Sequence, residues 1–166
     1  MQQDYLSFFD LFTALIWLGI ILGIGFMIRS RNEEKPHYKY FMPHLIYKLF
    51  FSLLFALVYL IYYEGGDTTA YFETATCLNN LFFKSPQLYF EQMFNPADPL
   101  RYATYFDRYT GYPPGWIYRE PQGFFVGKLV SIITFFTLKS YLATTFIIAS
   151  ISAMAAWKLY EFVLKL

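Results

Sequence analysis

Two stretches of the chain run without a single charged residue, Leu11 to Ile28 (LFTALIWLGIILGIGFMI) and Ser140 to Trp157 (SYLATTFIIASISAMAAW). A bilayer core of roughly 30 Å is crossed by about 20 such residues in helical form, so each reads as a membrane span. Two further apolar segments are interrupted. Phe41 to Tyr63 carries His44 and Lys48 near its start, and Gly123 to Leu138 carries Lys128. A lysine near a helix end can extend its ammonium to the interface, so both count as spans. The pattern predicts an all-α, polytopic integral membrane protein with four spans at about 8–28, 43–63, 123–138 and 140–160 in one membrane domain, 1–166, and a long outer loop at about 64–122.

The loop has its own periodicity. Thr68 to Phe82 reads as a helix with Asp67 at its N-cap and an apolar stripe through Tyr71, Leu78 and Phe82. Ser85-Pro86 reads as an N-cap followed by proline at the first helical position, opening a short helix through about Phe94. After Asn95-Pro96 the chain turns often and is rich in aromatic residues. Tyr102, Tyr105, Tyr109, Tyr112, Trp116 and Tyr118 suit an interfacial belt, each ring half buried with its polar tip in water.

Composition sharpens the class. Of 166 residues, 57% are hydrophobic and 15% charged, a profile too apolar for an ordinary soluble domain. The formal net charge of +1 excludes a nucleic-acid-binding surface. Cys77 is the only cysteine, which leaves no disulfide framework and no cysteine cluster for zinc, and its plainest role is as a small apolar filler. Acidic residues, Asp4 and Asp10, precede the first span and basic ones follow it, so that span is expected to remain as an anchor. Arg29, Arg31, Lys35 and Lys39 crowd the short segment after it, which fixes that segment on the cytoplasmic side and the long loop outside or in the periplasm. Gly19 and Gly23 form a GxxxG step, and Ala149/Ala153 and Ser152/Ala156 repeat small-xxx-small spacing, so these faces are candidates for helix packing.

Candidate chemistry gathers where the second span ends, at Tyr63-Glu64-Gly65-Gly66-Asp67-Thr68-Thr69-Ala70-Tyr71. Two glycines allow a sharp turn, and a carboxylate follows at a helix start beside the membrane. There Asp67, with Glu64, could accept a hydroxyl proton, or Asp67 could hold a divalent metal; equally, Asp67 could only cap the helix. Arg101, Arg108 and Arg119 are forks suited to phosphate, unless they pair with the nearby Asp98, Asp107 and Glu120. His37 and His44 have no partner at metal-ligand spacing, and the chain has no Walker loop, dinucleotide fingerprint or GxSxG elbow.

The stretch YYEGGDTTAYF resembles the first large outer loop of polytopic envelope glycosyltransferases of the GT-C type and the related polysaccharide polymerases, in which a Gly-Asp and a downstream tyrosine follow an early span. The resemblance rests on about a dozen positions around Gly65-Gly66-Asp67 and Tyr71. It implies a bacterial inner-membrane enzyme of cell-envelope polysaccharide biosynthesis that uses a polyprenyl-phosphate-linked sugar at the outer face. Asp67 would be general base or metal ligand, and the loop arginines and Tyr71 would bind substrate. Such enzymes have eight or more spans, so the chain would be the N-terminal part of one. The alternative is a non-catalytic membrane subunit whose aromatic outer loop binds a partner protein or other membrane subunits. A transporter is disfavoured by the lack of an ionisable residue near the middle of the confident spans.

Overall fold

The computed structural model describes residues 5–166, so Asp4, part of the acidic N-terminal flank, lies outside the described residues. Every regular element among the described residues is helical, in line with the all-α expectation. The chain divides into two compact units: one combines the chain up to Val58 with Ser140–Leu166, and the other is Tyr59–Lys139.

The first unit consists of α1 (Phe8–Ser30), a 3₁₀ turn at Pro36–Tyr40, α2 (Phe41–Leu57) and a late helix, Tyr141–Val163. Ser7 caps α1 by accepting a hydrogen bond from the Asp10 backbone N–H at 3.1 Å. The buried Asp10 carboxylate in turn accepts from the backbone N–H of Tyr141 at 2.7 Å, and the Ser140 hydroxyl donates to the Asp10 carbonyl at 3.3 Å. The first turns of α1 and of the late helix therefore lie together, and those two helices run parallel. At the far end, buried Trp157 packs edge-on against Phe41 and Tyr38, and His44 Nε2 lies 3.1 Å from the Ala153 carbonyl. The start of α2 thus meets the end of the late helix, and these two run antiparallel.

Packing in this unit uses only some of the small residues. Ala149 and Ala153 are buried, and a Cβ on Gly25 would stand 2.6 Å from Leu45 Cδ2. Gly19 and Gly23 have no neighbour within 4 Å of where a Cβ would be, so the GxxxG face points outward, as do Ser152 and Ala156. Leu15, Phe26, Phe51, Ile151 and Leu159 are each more than half exposed. Water would disfavour so much uncovered apolar surface.

The second unit comprises α3 (Asp67–Lys84), α4 (Pro86–Phe94), a 3₁₀ turn at Pro99–Arg101, the short helices α5 (Tyr102–Tyr105) and α6 (Gly115–Arg119), and α7 (Pro121–Phe136), after which α8 is the late helix of the first unit. Ser85 caps α4 and Pro86 opens it, as the sequence pattern predicts. Four contacts fix α3 against α7: Tyr71 beside Gly123, Thr74 beside Gly127, Asn79 with Ser131 at 2.6 Å, and Phe83 stacked on Phe135 at 5.5 Å. Numbers rise together on both helices, so the pair is parallel.

One expectation needs correction. Tyr102, Tyr105 and Tyr118 are not belt residues, because they pack inward with Leu78, Leu81, Phe106 and Phe124, Tyr105 and Tyr118 being almost fully buried. Their hydroxyls find partners there: Tyr105 donates to Glu91 at 2.9 Å, Tyr102 to the Pro113 carbonyl at 2.9 Å and Tyr118 to Gln92 at 3.2 Å. Tyr109, Tyr112 and Trp116 do remain exposed. The expectation of four membrane spans is met in part. Three helices are long and apolar enough to cross a bilayer, Phe8–Ser30, Pro36–Tyr62 and Tyr141–Val163, whereas α7 has 16 residues. At 1.5 Å per residue α7 is about 24 Å long, short of the roughly 30 Å core.

Candidate functional site

The segment joining α2 to α3 is one of two stretches in the second unit where successive residues take positive φ, the other being Leu138–Lys139. Helix α2 loosens into a π-helical turn, Val58–Tyr62, and three successive residues then take positive φ: Glu64 at 51°, Gly65 at 143° and Gly66 at 137°. The last two angles are open to glycine almost alone, and Glu64 is an L-residue held in the left-handed region. The Gly65 N–H donates to the Tyr59 carbonyl at 3.0 Å, and the Tyr59 ring lies so close that a Cβ on Gly66 would stand 2.7 Å from it. The Thr69 hydroxyl donates to the Gly66 carbonyl at 2.8 Å.

This geometry moves the helix start. The N-cap position belongs to Gly66, and Asp67 is the first residue of α3, which runs to Lys84 rather than ending near Phe82. Asp67 is therefore not the N-cap that the sequence pattern predicts. The glycines supply the non-helical backbone that an N-cap needs, leaving the Asp67 side chain exposed in the first turn, where the helix dipole favours an anion. Glu64 is exposed as well.

Parallel packing of α3 and α7 brings a further carboxylate to this end. A Cβ on Gly123 would lie 3.1 Å from Glu120 Oε2 and 3.6 Å from Tyr71 Cε1. Tyr71 is half-buried, and its hydroxyl is held above the usual phenol range by burial first and then by the charges of Asp67 and Glu120. Asp67, Tyr71 and Glu120 thus form one acidic cluster at the joined N-terminal ends of the two helices. Sequence reading placed Glu120 only as a partner for arginine. Its approach to Tyr71 depends on the register of two helices some fifty positions apart, and the local signal for it is only the Glu-Pro step that opens α7.

The arginines are dispersed. Arg101 forms a hydrogen-bonded ion pair with Glu91 of α4 and lies over the Tyr105 ring at 5.0 Å, so its partner is none of Asp98, Asp107 and Glu120. That pair, with the Tyr105 hydroxyl, holds the Glu91 carboxyl below its ordinary range. Asp98 instead accepts from the Leu100 N–H at 3.0 Å, and Asp107 is paired with Lys84 at 2.6 Å. Arg108 and Arg119 are exposed, and Arg119 directly precedes Glu120. Among the described residues no three His, Cys, Asp or Glu side chains converge to hold a metal ion. The Cys77 thiol is buried and pushed up to about 12 chiefly by desolvation, which fits an inert filler.

At the opposite, C-terminal end of α3 and α7, a cavity of about 240 Å³ is lined by Asn79, Phe83, Thr134, Phe135, Leu138 and Lys139. The Lys139 ammonium donates to Asn80 Oδ1 at 2.6 Å there.

Together these features define an all-helical protein with three helices able to cross a membrane and an acidic cluster beside a glycine-built turn. No family model matches the chain, and neither a curated protein nor a solved structure does so.

Proposed function

We propose that the chain is a multi-pass cell-membrane protein, the N-terminal part of a glycosyltransferase or polysaccharide polymerase that acts on lipid-linked sugars at the outer face, with the Glu64–Asp67 turn as part of its site. One observation carries the reading. Three successive positive-φ residues, one of them not glycine, immediately follow a helix of membrane-crossing length and present an exposed, non-capping carboxylate. Strain of this kind persists where surrounding structure imposes it, and it concentrates at functional sites.

In this reading Asp67 takes the proton of an acceptor hydroxyl as that oxygen attacks the anomeric carbon. The bond from that carbon to the phosphate oxygen breaks, and the polyprenyl phosphate or pyrophosphate departs with the electron pair. Arg119, beside Glu120, and Arg108 offset the charge of the departing group, and Tyr71 lines the acceptor side. Arg101, held by Glu91, contributes by fixing the loop. The test is an Asp67→Asn variant in cells that make the surface glycan: glycan is lost while the chain stays in the membrane fraction at wild-type level. Normal glycan in that variant removes Asp67 from the chemistry.

A second reading, a non-catalytic subunit docking a partner, draws on the exposed Tyr109, Tyr112 and Trp116. Tyr105 is buried and has no place in such a surface. Replacing Tyr109 and Trp116 by alanine would then release a co-purifying protein, and Asp67→Asn would not.

A further inference from the structure

The orientation of the three long helices bears on the path of everything between them. In the first unit α1 and α8 start at the same end, where Asp10 meets Tyr141, and α2 starts at the opposite end, where Phe41 meets Trp157. Helix α2 therefore finishes at the end where α8 begins. The chain leaves this bundle after Val58 and re-enters it at Ser140 at one and the same end. A segment that starts and finishes on one side of a bilayer crosses it an even number of times, and 59–139 contains one strongly apolar helix, α7, of 16 residues.

Helix α7 is also built with its bulk outward. The face against α3 is made mostly of small buried residues, Gly123, Gly127, Ser131 and Thr134, with Phe135 against Phe83 at its end. The exposed face carries Phe125, Leu129, Ile132 and Phe136 without a charge among them. The one lysine of α7, Lys128, is buried and donates to the Asn95 carbonyl at 2.7 Å. Small residues between helices with large apolar ones outside is the arrangement of a helix facing lipid. Phe90 and Phe94 of α4, exposed and stacked at 6.4 Å, extend the apolar surface, because Phe90 adjoins Phe82 and Phe82 adjoins Phe135.

We propose that 63–139 stays on the outer side, with the outward face of α7 and the Phe90/Phe94 pair docked on the lipid surface, and that the chain crosses the membrane three times. This rests on the membrane reading above and replaces its fourth span. The occupant of the apolar face is the bilayer itself, because both ends of the segment join helices of membrane-crossing length at one end of the bundle. The charges agree: Arg29, Arg31, Lys35, Lys39, Lys158 and Lys165 belong to the other end, and no Lys or Arg occurs in 5–28, 49–58 or 140–157. By the positive-inside rule that other end is cytoplasmic.

The experiment uses single-cysteine variants in a Cys77→Ala background. Carbonate extraction comes first, and a chain released into the supernatant refutes the membrane reading itself. With the chain in the pellet, an impermeant maleimide is expected to label Tyr109→Cys in intact cells, and Lys165→Cys only after permeabilisation. A bimane on Ile132→Cys is expected to be quenched more by lipids carrying the quencher near the headgroup than by lipids carrying it at the acyl end. Labelling of Lys165→Cys in intact cells alongside Tyr109→Cys, or dominant quenching from the acyl end, overturns the proposal. A fluorescent protein that matures only inside the cell, fused after Leu166 on the otherwise unaltered chain, gives the same discrimination without cysteine changes: fluorescence is expected, and its absence with the fusion present contradicts three crossings.

Discussion

The Asp10 carboxylate accepts the Tyr141 backbone N–H at 2.7 Å across 131 positions of sequence, so one buried side chain in α1 caps the first turn of α8. An anion at a helix N-terminus satisfies an otherwise unpaired N–H and sits well in the helix dipole. Asp10→Ala is expected to cost about 1–2 kcal/mol, the range for loss of a cap. Asp10→Asn, which retains an acceptor, should cost less. Thermal or denaturant unfolding in detergent, followed for both variants, checks the order, and equal loss in both would mean that charge rather than the cap matters.

Glycines in this chain separate sharply by what surrounds them. A Cβ on Gly127 would stand 2.6 Å from Thr74 Cγ2, whereas one on Gly19 meets nothing within 4 Å. Gly127→Val should therefore destabilise the α3–α7 pair by about 1–3 kcal/mol through overpacking. Gly19→Val should leave unfolding of the isolated chain nearly unchanged. A chain that tolerates Gly127→Val without a shift in its unfolding midpoint does not have this helix pairing.

The turn before Asp67 should be equally sensitive. Gly66 has φ 137° and the Tyr59 ring lies where its Cβ would go, so Gly66→Ala is expected to cost about 1–3 kcal/mol in backbone strain, with the ring forced to shift as well. Adding Tyr59→Ala makes room for the methyl group but leaves the strain. Gly66→Ala should accordingly cost less in the Tyr59→Ala background than in the unaltered chain, and an equal cost in both would mean that the ring contact contributes nothing.

Acid should loosen the second unit at one definable place. Hydrogen bonds from Lys84 and from the Thr110 and Tyr109 backbone N–H groups lower the Asp107 carboxyl to about 2. A depressed carboxyl contributes its stability above the unfolded value of about 3.9, and that contribution disappears as pH falls through the folded value. Loss is expected between about pH 4 and about 2. Asp107→Asn should flatten the response there, and the effect should shrink with added salt, because the pair is partly exposed. An unchanged acid profile in the variant would point to other carboxylates.

Much of this architecture is legible in the sequence because lipid and helix impose patterns that need no long-range information. Uncharged runs mark α1 and α8, and Ser85-Pro86 marks α4 to the residue. What escapes is set by pairing across distance. Tyr105 and Tyr118 look amphipathic in sequence, yet Glu91 and Gln92 of α4 give their hydroxyls buried partners. Arg101 reaches Glu91 rather than a nearer acid for the same reason: α4 folds back beside it. The helix start lies one position from where propensity puts it, because Gly66 adopts angles that propensity does not weigh. Glu120 carries no local signal as a site residue, because its approach to Tyr71 follows from the parallel register of α3 and α7.

The parallel course of α1 and α8 underlies the whole topology, and a spin-label distance measurement tests it most directly. Labels on Ile16→Cys and Ile148→Cys, both exposed positions, are compared with labels on Ile16→Cys and Phe162→Cys in the Cys77→Ala background. Parallel helices place the first pair at nearly the same level, within roughly 20 Å once the label arms are added to an interaxial distance near 10 Å. The second pair is displaced along the axis by about 21 Å more, from fourteen residues at 1.5 Å each. A shorter distance for Ile16 and Phe162 than for Ile16 and Ile148 would contradict the parallel arrangement and, with it, the placement of 63–139 on one face of the membrane.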